Sequence, residues 1–153
     1  MAIDKAEWQY DSAMKEYCEL TGKKQSELVS ADEDIIWEYS GNHIAFFLTW
    51  LIRHDLLGEF HHEDAEEEAM LQEVKDQKKT GMDILSKYCD MVLTDEDVSE
   101  DALDFVEDYY DKQYLNDFGA VMDGKILCVS FSWDDYFSVE PYIDEAYKKF
   151  YGQ

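Results

Sequence analysis

The apolar stretch IAFFLTWLI, at Ile44–Ile52, decides the fold of this 153-residue chain. Nearly every side chain in it is hydrophobic, so a helix formed here is apolar on most sides and has to be buried. It is too short to cross a bilayer, which takes about 20 apolar residues, and Arg53 and His54 end it. It predicts a buried helix within a helical segment over residues 31–57, in which Gly41 marks a break between two parts.

Helical patterns also lie on both sides of this segment. Residues 5–21 carry apolar side chains three and four positions apart, and Gly22 ends the pattern. Residues 63–79 run from acidic to basic, an order that suits the helix dipole, and their few apolar side chains place this helix on the outside. A short helix is predicted over residues 82–91, and a last one that begins at Pro141.

One strong hairpin signal interrupts this helical pattern. Asp123 and Gly124 lie between two apolar runs, and the Asp-Gly pair favours the positive-φ turn that joins two antiparallel strands. The expected fold class is therefore mainly α. We expect a single compact helical domain over residues 1–153, with one short β-hairpin near residues 118–131.

The composition excludes several classes of partner. The chain has 37 acidic residues against 13 Lys and Arg, a net charge of -24, yet 46% of its residues are hydrophobic. The hydrophobic fraction argues against a disordered acidic chain. The charge argues against nucleic acid and against an anionic membrane, because both are bound through Lys and Arg. A basic protein or a cation would be attracted instead.

The densest run of acids is TDEDVSEDALDFVEDYYD, at Thr94–Asp111, which contains nine acids and no Lys or Arg. Thr94 and Asp97 have the spacing of a capping box, and the apolar residues after Ser99 fall on one helix face with the acids opposite. The acidic face either only solvates the protein or steers a basic partner. The residues expected to contact such a partner are Asp95, Glu96, Asp97, Glu100, Asp101, Asp104, Asp108 and Asp111.

No complete catalytic motif occurs in the sequence. The signatures GxSxG, GxxxxGK[ST] and GxGxxG are absent, and the acids from Asp95 onward lack the glycine and glutamate of a calcium-binding loop. His61 and His62 are adjacent, so on a helix they point about 100° apart and do not share one ion. We expect surface histidines at a helix start, and a His43 that orients a hydrogen bond inside the core. No catalytic residue, metal or cofactor is expected.

The three cysteines, Cys18, Cys89 and Cys128, are odd in number and far apart, without a CxxC pair. This spacing argues against structural zinc and favours buried free thiols. Reduced thiols suit the cytosol, and the first residues contain no apolar signal segment. A cytoplasmic protein is expected.

Three stretches resemble the pattern of a known family: WEYSGNHIAFFLTW (Trp37–Trp50), LSKYCD (Leu85–Asp90) and FVEDYYDKQYLND (Phe105–Asp117). They are similar to small acidic bacterial domains of unknown function, of the kind found near polymorphic toxin–immunity loci. The resemblance begins at about residue 35; the family's proline-rich lead-in is absent, and an extra N-terminal helix stands in its place. The motif residues that carry the resemblance are Gly41, His43, Trp50, Lys87, Tyr88, Asp90, Tyr109 and Tyr110.

The resemblance implies no catalysed reaction, and it agrees with the charge. An immunity-type protein binds and neutralises a cognate toxin domain, and an acidic surface suits the basic cleft of a nuclease. We therefore expect a basic protein partner, a cognate toxin, and neither nucleic acid nor membrane. Two alternatives stay open: a small metal-dependent hydrolase built around His43 with Lys87 and Asp90, and a non-catalytic interaction domain whose aromatic residues are simply core.

Overall fold

The buried helix predicted from the apolar stretch forms the centre of the molecule. The computed structural model describes residues 1–152. Its α-helices are α1 (Tyr10–Thr21), α2 (Ser30–Arg53), α3 (Ala65–Lys75), α4 (Gly81–Tyr88), α5 (Glu100–Tyr109), α6 (Leu115–Val121) and α7 (Trp133–Phe150). A π-helical turn at Tyr110–Tyr114 joins α5 to α6, and 3-10 turns lie at Ala6–Gln9, Gln25–Glu27, Glu59–His62 and Asp95–Asp97. The mainly helical fold class is confirmed.

Helix α2 is the axis of the core. Every residue in 40–52 is buried, and α1, α3, α4 and α7 pack around the helix. The break expected at Gly41 is wrong, because α2 is continuous. A Cβ at Gly41 would lie 2.8 Å from Met91 Cε and 3.4 Å from Ala6 Cβ, so the glycine makes room for its neighbours. None of the described helices is long and apolar enough to cross a membrane.

Helix α5 has the two-faced character that the sequence predicts. Phe105 and Tyr109 are buried, and their rings stack with centroids 5.1 Å apart. Trp50 of α2 packs against Phe105 at 5.8 Å, so the aromatic face of α5 belongs to the core. The opposite face, with Asp104 and Asp108, is exposed.

The sheet seen in residues 1–152 is small and lies far from the predicted hairpin. It pairs β1 (Ala2–Lys5) antiparallel with β2 (Val92–Thr94). The hairpin near residues 118–131 is wrong, since residues 118–121 belong to α6 and residues 125–131 form no strand.

The Asp123-Gly124 pair nevertheless adopts the backbone conformation that the sequence predicts. Asp123 and Gly124 take the positive φ angles that this pair favours, 54° and 80°. They use them to end α6, because the Gly124 N–H donates to the Gly119 carbonyl at 2.8 Å, as in a Schellman cap. A helix C-terminus and a hairpin turn need the same backbone conformation, so the dipeptide alone does not distinguish them.

Helix α7 begins earlier than expected. Pro141 does not open it but lies within it, on the exposed side. Ser132 caps the helix by accepting from the Asp135 N–H at 3.4 Å. Tyr136 in the first turn packs against Phe46 of α2, with ring centroids 6.1 Å apart. The cap and this core contact place the helix start before the proline.

Two of the 3-10 turns, over residues 59–62 and 95–97, lie side by side. The Gly58 N–H donates to the Asp97 carbonyl at 2.9 Å. The two backbones approach so closely that a Cβ at Gly58 would lie 2.0 Å from the carbonyl oxygen of Glu96. Glycine is required here for this close approach, and the paired turns position the candidate site.

Candidate functional site

The paired turns border an open groove of about 620 Å³. Its lining residues are Gly58, Glu59, Phe60, Asp95, Glu96, Val98, Ser99, Glu100, Asp101 and Leu103. Five of them are acidic and none is Lys or Arg. Phe60 is 42% exposed, so an apolar residue lies among carboxylates. We call this surface the acidic groove.

Four of the eight acids predicted to contact a partner line the acidic groove: Asp95, Glu96, Glu100 and Asp101. Asp104, Asp108 and Asp111 are exposed farther along α5 and the turn that follows it. Asp108 forms an ion pair with Lys112 at 2.6 Å. The predicted set therefore divides into a group that shares one concave surface and a group on the open helix face.

Asp97 is buried, which corrects the expectation that it contacts a partner. Only 3% of the residue is exposed. Its Oδ2 accepts from the Thr94 N–H at 2.7 Å and from the Thr94 hydroxyl at 3.0 Å, in the predicted capping box. Its Oδ1 points inward and lies 2.8 Å from His61 Nε2. Asp97 therefore supports the groove from below.

His61 is the centre of a buried network under the acidic groove. It is fully buried, which corrects the expectation of a surface histidine. Its Nδ1 bonds to Glu67 Oε2 and its Nε2 to Asp97 Oδ1. The Phe60 ring lies against the imidazole with centroids 4.0 Å apart. Both ring nitrogens of His61 thus face carboxylates, while the aromatic ring separates the network from the groove.

The two carboxylates determine the charge of His61. Burial by itself lowers the pKa of His61, but its hydrogen bonds to Asp97 and Glu67 and their negative charges outweigh burial and raise that pKa above its usual value. His61 is therefore stabilised as an imidazolium that donates through both nitrogens. The imidazolium thus lies between two buried carboxylates.

Cys89 joins the same network at the end of α4. Its Sγ lies 3.7 Å from Asp97 Oδ1, and burial together with Asp97 and Glu67 raises the pKa of the thiol. His61, Cys89 and Asp97 each offer one metal-binding atom, and these atoms lie within 4.8 Å of one another. Among residues 1–152 this is the one group of three with such spacing. Nitrogen, sulfur and oxygen donors in this number are those of a zinc site with an open position.

The second buried histidine, His43, has a different environment. It is 1% exposed, and its Nε2 lies 2.9 Å from Asp4 Oδ2. The Tyr110 hydroxyl donates to the same oxygen at 2.6 Å, and the Lys5 N–H donates to Asp4 Oδ1 at 2.8 Å. The prediction that His43 orients a hydrogen bond inside the core is confirmed.

The residues that carry the family resemblance differ in how deeply they are buried. Gly41, His43, Trp50, Tyr109 and Tyr110 are buried, Tyr88 is half-buried, and Lys87 and Asp90 are exposed. The Lys87 ammonium forms an ion pair with Glu66 at 2.6 Å, away from the core. No hydrogen bond or ion pair within residues 1–152 joins His43 to Lys87 or Asp90. His43 is buried whereas Lys87 and Asp90 are exposed, so the three residues of the hydrolase alternative differ in their access to solvent.

Several residues of the site are not marked in the sequence. Glu59, Phe60, Glu67 and Cys89 reach it only through tertiary contacts, such as the bridge that joins residues 57 and 98, and no spacing encodes such pairing. The adjacent histidines, His61 and His62, drew attention to this part of the sequence, but only His61 belongs to the buried network. His61 and His62 indeed share no site, because His62 is exposed and bonds to Glu68 at 2.6 Å.

Comparison with known proteins assigns the chain to a family but not to an activity. A family model described as a domain of unknown function, DUF7832, matches residues 2–130. No curated protein and no solved structure matches the chain. The match includes α1, which the sequence had suggested lies outside the family pattern, and it includes the acidic groove and the network beneath it. The expected resemblance to a family of unknown function is confirmed, and the chain belongs to the DUF7832 family.

Proposed function

We propose that this protein binds a basic partner protein in the acidic groove and neutralises it, as a cytoplasmic immunity-type protein neutralises a cognate toxin domain. The observation that carries the proposal is one concave surface with five carboxylates, an exposed phenylalanine and no basic side chain. The net charge of -24 adds long-range attraction, which speeds encounter with a positively charged partner.

The chemistry of the acidic groove favours a protein partner. Phe60 and the half-buried Leu103 provide apolar contacts, and five carboxylates line the same groove, a combination typical of interfaces with an apolar centre and a polar rim. An arginine of the partner could stack on the Phe60 ring and bond to carboxylates at the same time. Tyrosine, tryptophan and arginine are the residues that most often dominate such interfaces.

Neutralisation follows from the same chemistry. A nuclease binds phosphates through basic side chains in its active-site cleft. Carboxylates of the acidic groove would form ion pairs with these basic side chains and so exclude the nucleic acid. The function requires tight binding and no catalysis, in agreement with the absence of a complete catalytic motif from the sequence. The association with toxin loci comes from the sequence resemblance.

The first test is a pull-down from cells with two triple variants of equal net charge. The groove variant replaces Glu59, Glu96 and Glu100 by glutamine. The control variant replaces three exposed glutamates outside the groove: Glu19, Glu33 and Glu145. Glu33 and Glu100 each lie in the first turn of an α-helix, so each variant removes one carboxylate from the N-terminus of an α-helix.

We expect the wild-type protein and the control variant to retain one basic partner that rising salt releases, and the groove variant to lose it. Equal loss in both variants would show that net charge alone attracts the partner.

Once the partner is identified, co-expression tests neutralisation. The proposal predicts that wild-type protein and control variant protect cells from the partner and that the groove variant does not. A bound partner that is harmless when expressed alone would contradict the immunity role.

A further inference from the structure

We propose that His61, Cys89 and Asp97 bind a zinc ion beneath the acidic groove. The three residues come from the 3-10 turn at 59–62, the end of α4 and the 3-10 turn at 95–97. A metal ion there would join these elements at one point. The proposal does not depend on the identity or existence of a protein partner.

The separations in the cluster are close to those of a metal site. Zinc lies about 2.0 Å from nitrogen or oxygen and about 2.3 Å from sulfur, so tetrahedral ligands stand roughly 3.3 Å (N to O) and 3.5 Å (S to O) apart. Here His61 Nε2 is 2.8 Å and Cys89 Sγ 3.7 Å from Asp97 Oδ1. The third separation, between the His61 ring nitrogen and Cys89 Sγ, is within 4.8 Å, so side-chain movements would draw these two atoms together as metal bonds replace the two hydrogen bonds.

The donor atoms select the metal. Imidazole and thiolate ligands suit zinc, whereas calcium and magnesium take oxygen ligands. Three protein ligands leave a fourth tetrahedral position for water or for a further group. Coordination would release the proton of the Cys89 thiol, because a coordinating thiol is deprotonated outright, and a ligating histidine is neutral.

The surroundings hold the ligands in orientation. Glu67 Oε2 bonds to His61 Nδ1, which is the carboxylate–histidine–metal arrangement common in zinc proteins. Asp97 binds Thr94 entirely through Oδ2, so its Oδ1 is available to a metal without loss of the capping box. Both ligands therefore have the outer partners that zinc sites use.

The experiment is a zinc titration of the full chain. The protein is stripped of metal with a chelator, and zinc is added in competition with a chromophoric chelator. We expect one tightly bound zinc per chain. Cys89→Ala should weaken binding about tenfold or more, since loss of even an outer partner costs about 10–100-fold. Cys18→Ala, at another half-buried free cysteine, is the matched control and should leave the affinity unchanged.

Cobalt provides an independent readout of the ligands. Co²⁺ in place of zinc should give the intense visible bands of a tetrahedral ion and a thiolate-to-cobalt charge-transfer band, both lost in Cys89→Ala and kept in Cys18→Ala. Glu67→Gln, which retains all three ligands, should weaken zinc about 10–100-fold. Circular dichroism of each variant confirms that it folds.

Two results would overturn the proposal. One is a folded wild-type protein that binds no zinc. The other is binding that Cys89→Ala and Glu67→Gln leave unchanged, which would place the ion on surface carboxylates or on His62. Because neither outcome involves a partner protein, failure of this proposal is distinguishable from failure of the proposed function.

Discussion

His43 and His61 are both enclosed by the protein, and each bonds to an aspartate through Nε2, yet the two sites differ in charge and in their further donors. His43 shares Asp4 with the Tyr110 hydroxyl, and its Nδ1 is buried with no partner among residues 1–152. His61 lies between two carboxylates, with the Cys89 thiol at the same Asp97 oxygen.

The difference shows why one histidine is structural and the other is a candidate ligand. Around His43, hydroxyl and backbone donors satisfy the one carboxylate, and within residues 1–152 no thiol or second acid is hydrogen-bonded to this pair. Around His61, two acids and a thiol share one imidazole beneath an exposed acidic groove. A buried histidine–aspartate pair therefore does not by itself indicate a binding site. The donor atoms around the pair determine what it can bind.

The largest expected effect concerns Asp97. Asp97→Ala removes the charge partner of His61 and the cap on Thr94, so it should lower the free energy of unfolding by about 3–5 kcal/mol, as breaking a buried ion pair does. Urea denaturation measures the change. The control, Asp104→Ala on the exposed face of α5, should stay within about 0.5 kcal/mol of wild type. Equal effects at both positions would remove the distinction between buried and exposed acids.

Gly58→Ala tests the backbone contact that forms the groove. The new Cβ would lie 2.0 Å from the Glu96 carbonyl oxygen, and we expect a loss of stability of about 1–3 kcal/mol from overpacking. Gly119→Ala is the control, since its nearest neighbour is Ile126 at 3.6 Å and alanine favours a helix by up to about 1 kcal/mol. Thermal denaturation compares the two. A neutral Gly58→Ala would mean that the turns are not tightly apposed.

Asp4→Asn tests the His43 network. The amide retains an acceptor but loses the charge that receives hydrogen bonds from His43 and Tyr110, so we expect a loss of about 1–2 kcal/mol. The same denaturation experiment gives the value. The comparison of the two histidines requires Asp4→Asn to cost less than Asp97→Ala, and the reverse order would contradict it.

A third buried aspartate, Asp32, gives an effect that depends on pH. Its bonds from the Lys23 ammonium, the Tyr17 hydroxyl and the Val29 N–H lower the pKa of Asp32 from 3.8 to about 2. Because the folded pKa is depressed, the stabilisation is fully present above pH 3.8 and is lost as the pH falls towards 2. Stability measured across this window should fall less steeply in Asp32→Asn than in wild type. Identical slopes would show that Asp32 gains nothing from its partners.

The fold could be predicted where local periodicity is strong. The apolar stretch of α2 and the two faces of α5 follow from spacing alone, because the buried face of a helix has apolar residues three and four positions apart. Spacing did not distinguish the Asp123-Gly124 helix end from a hairpin, or Pro141 inside a helix from Pro141 at its start. In both cases a tertiary contact or cap decided between two conformations that the local sequence permits.

The candidate site was predictable only in part. Net charge and the acid run identified one wall of the acidic groove, since four of the eight predicted acids line it. The opposite wall, with Glu59 and Phe60, and the network of His61 with Glu67 and Cys89 depend on contacts between distant segments. Helix or strand periodicity does not predict such contacts. The capping-box spacing of Thr94 and Asp97 distinguished Asp97 from its acidic neighbours, but it did not predict the contact with His61.

The most direct test of the proposed function is the affinity of the identified partner for wild type and the two triple variants, measured by calorimetry at two salt concentrations. The groove variant (Glu59, Glu96 and Glu100 to glutamine) should bind at least about tenfold more weakly, or 1.4 kcal/mol, with a smaller salt dependence. The control variant (Glu19, Glu33 and Glu145 to glutamine) should bind like wild type. Equal affinities for the two variants at both salt concentrations would contradict the acidic groove as the binding site.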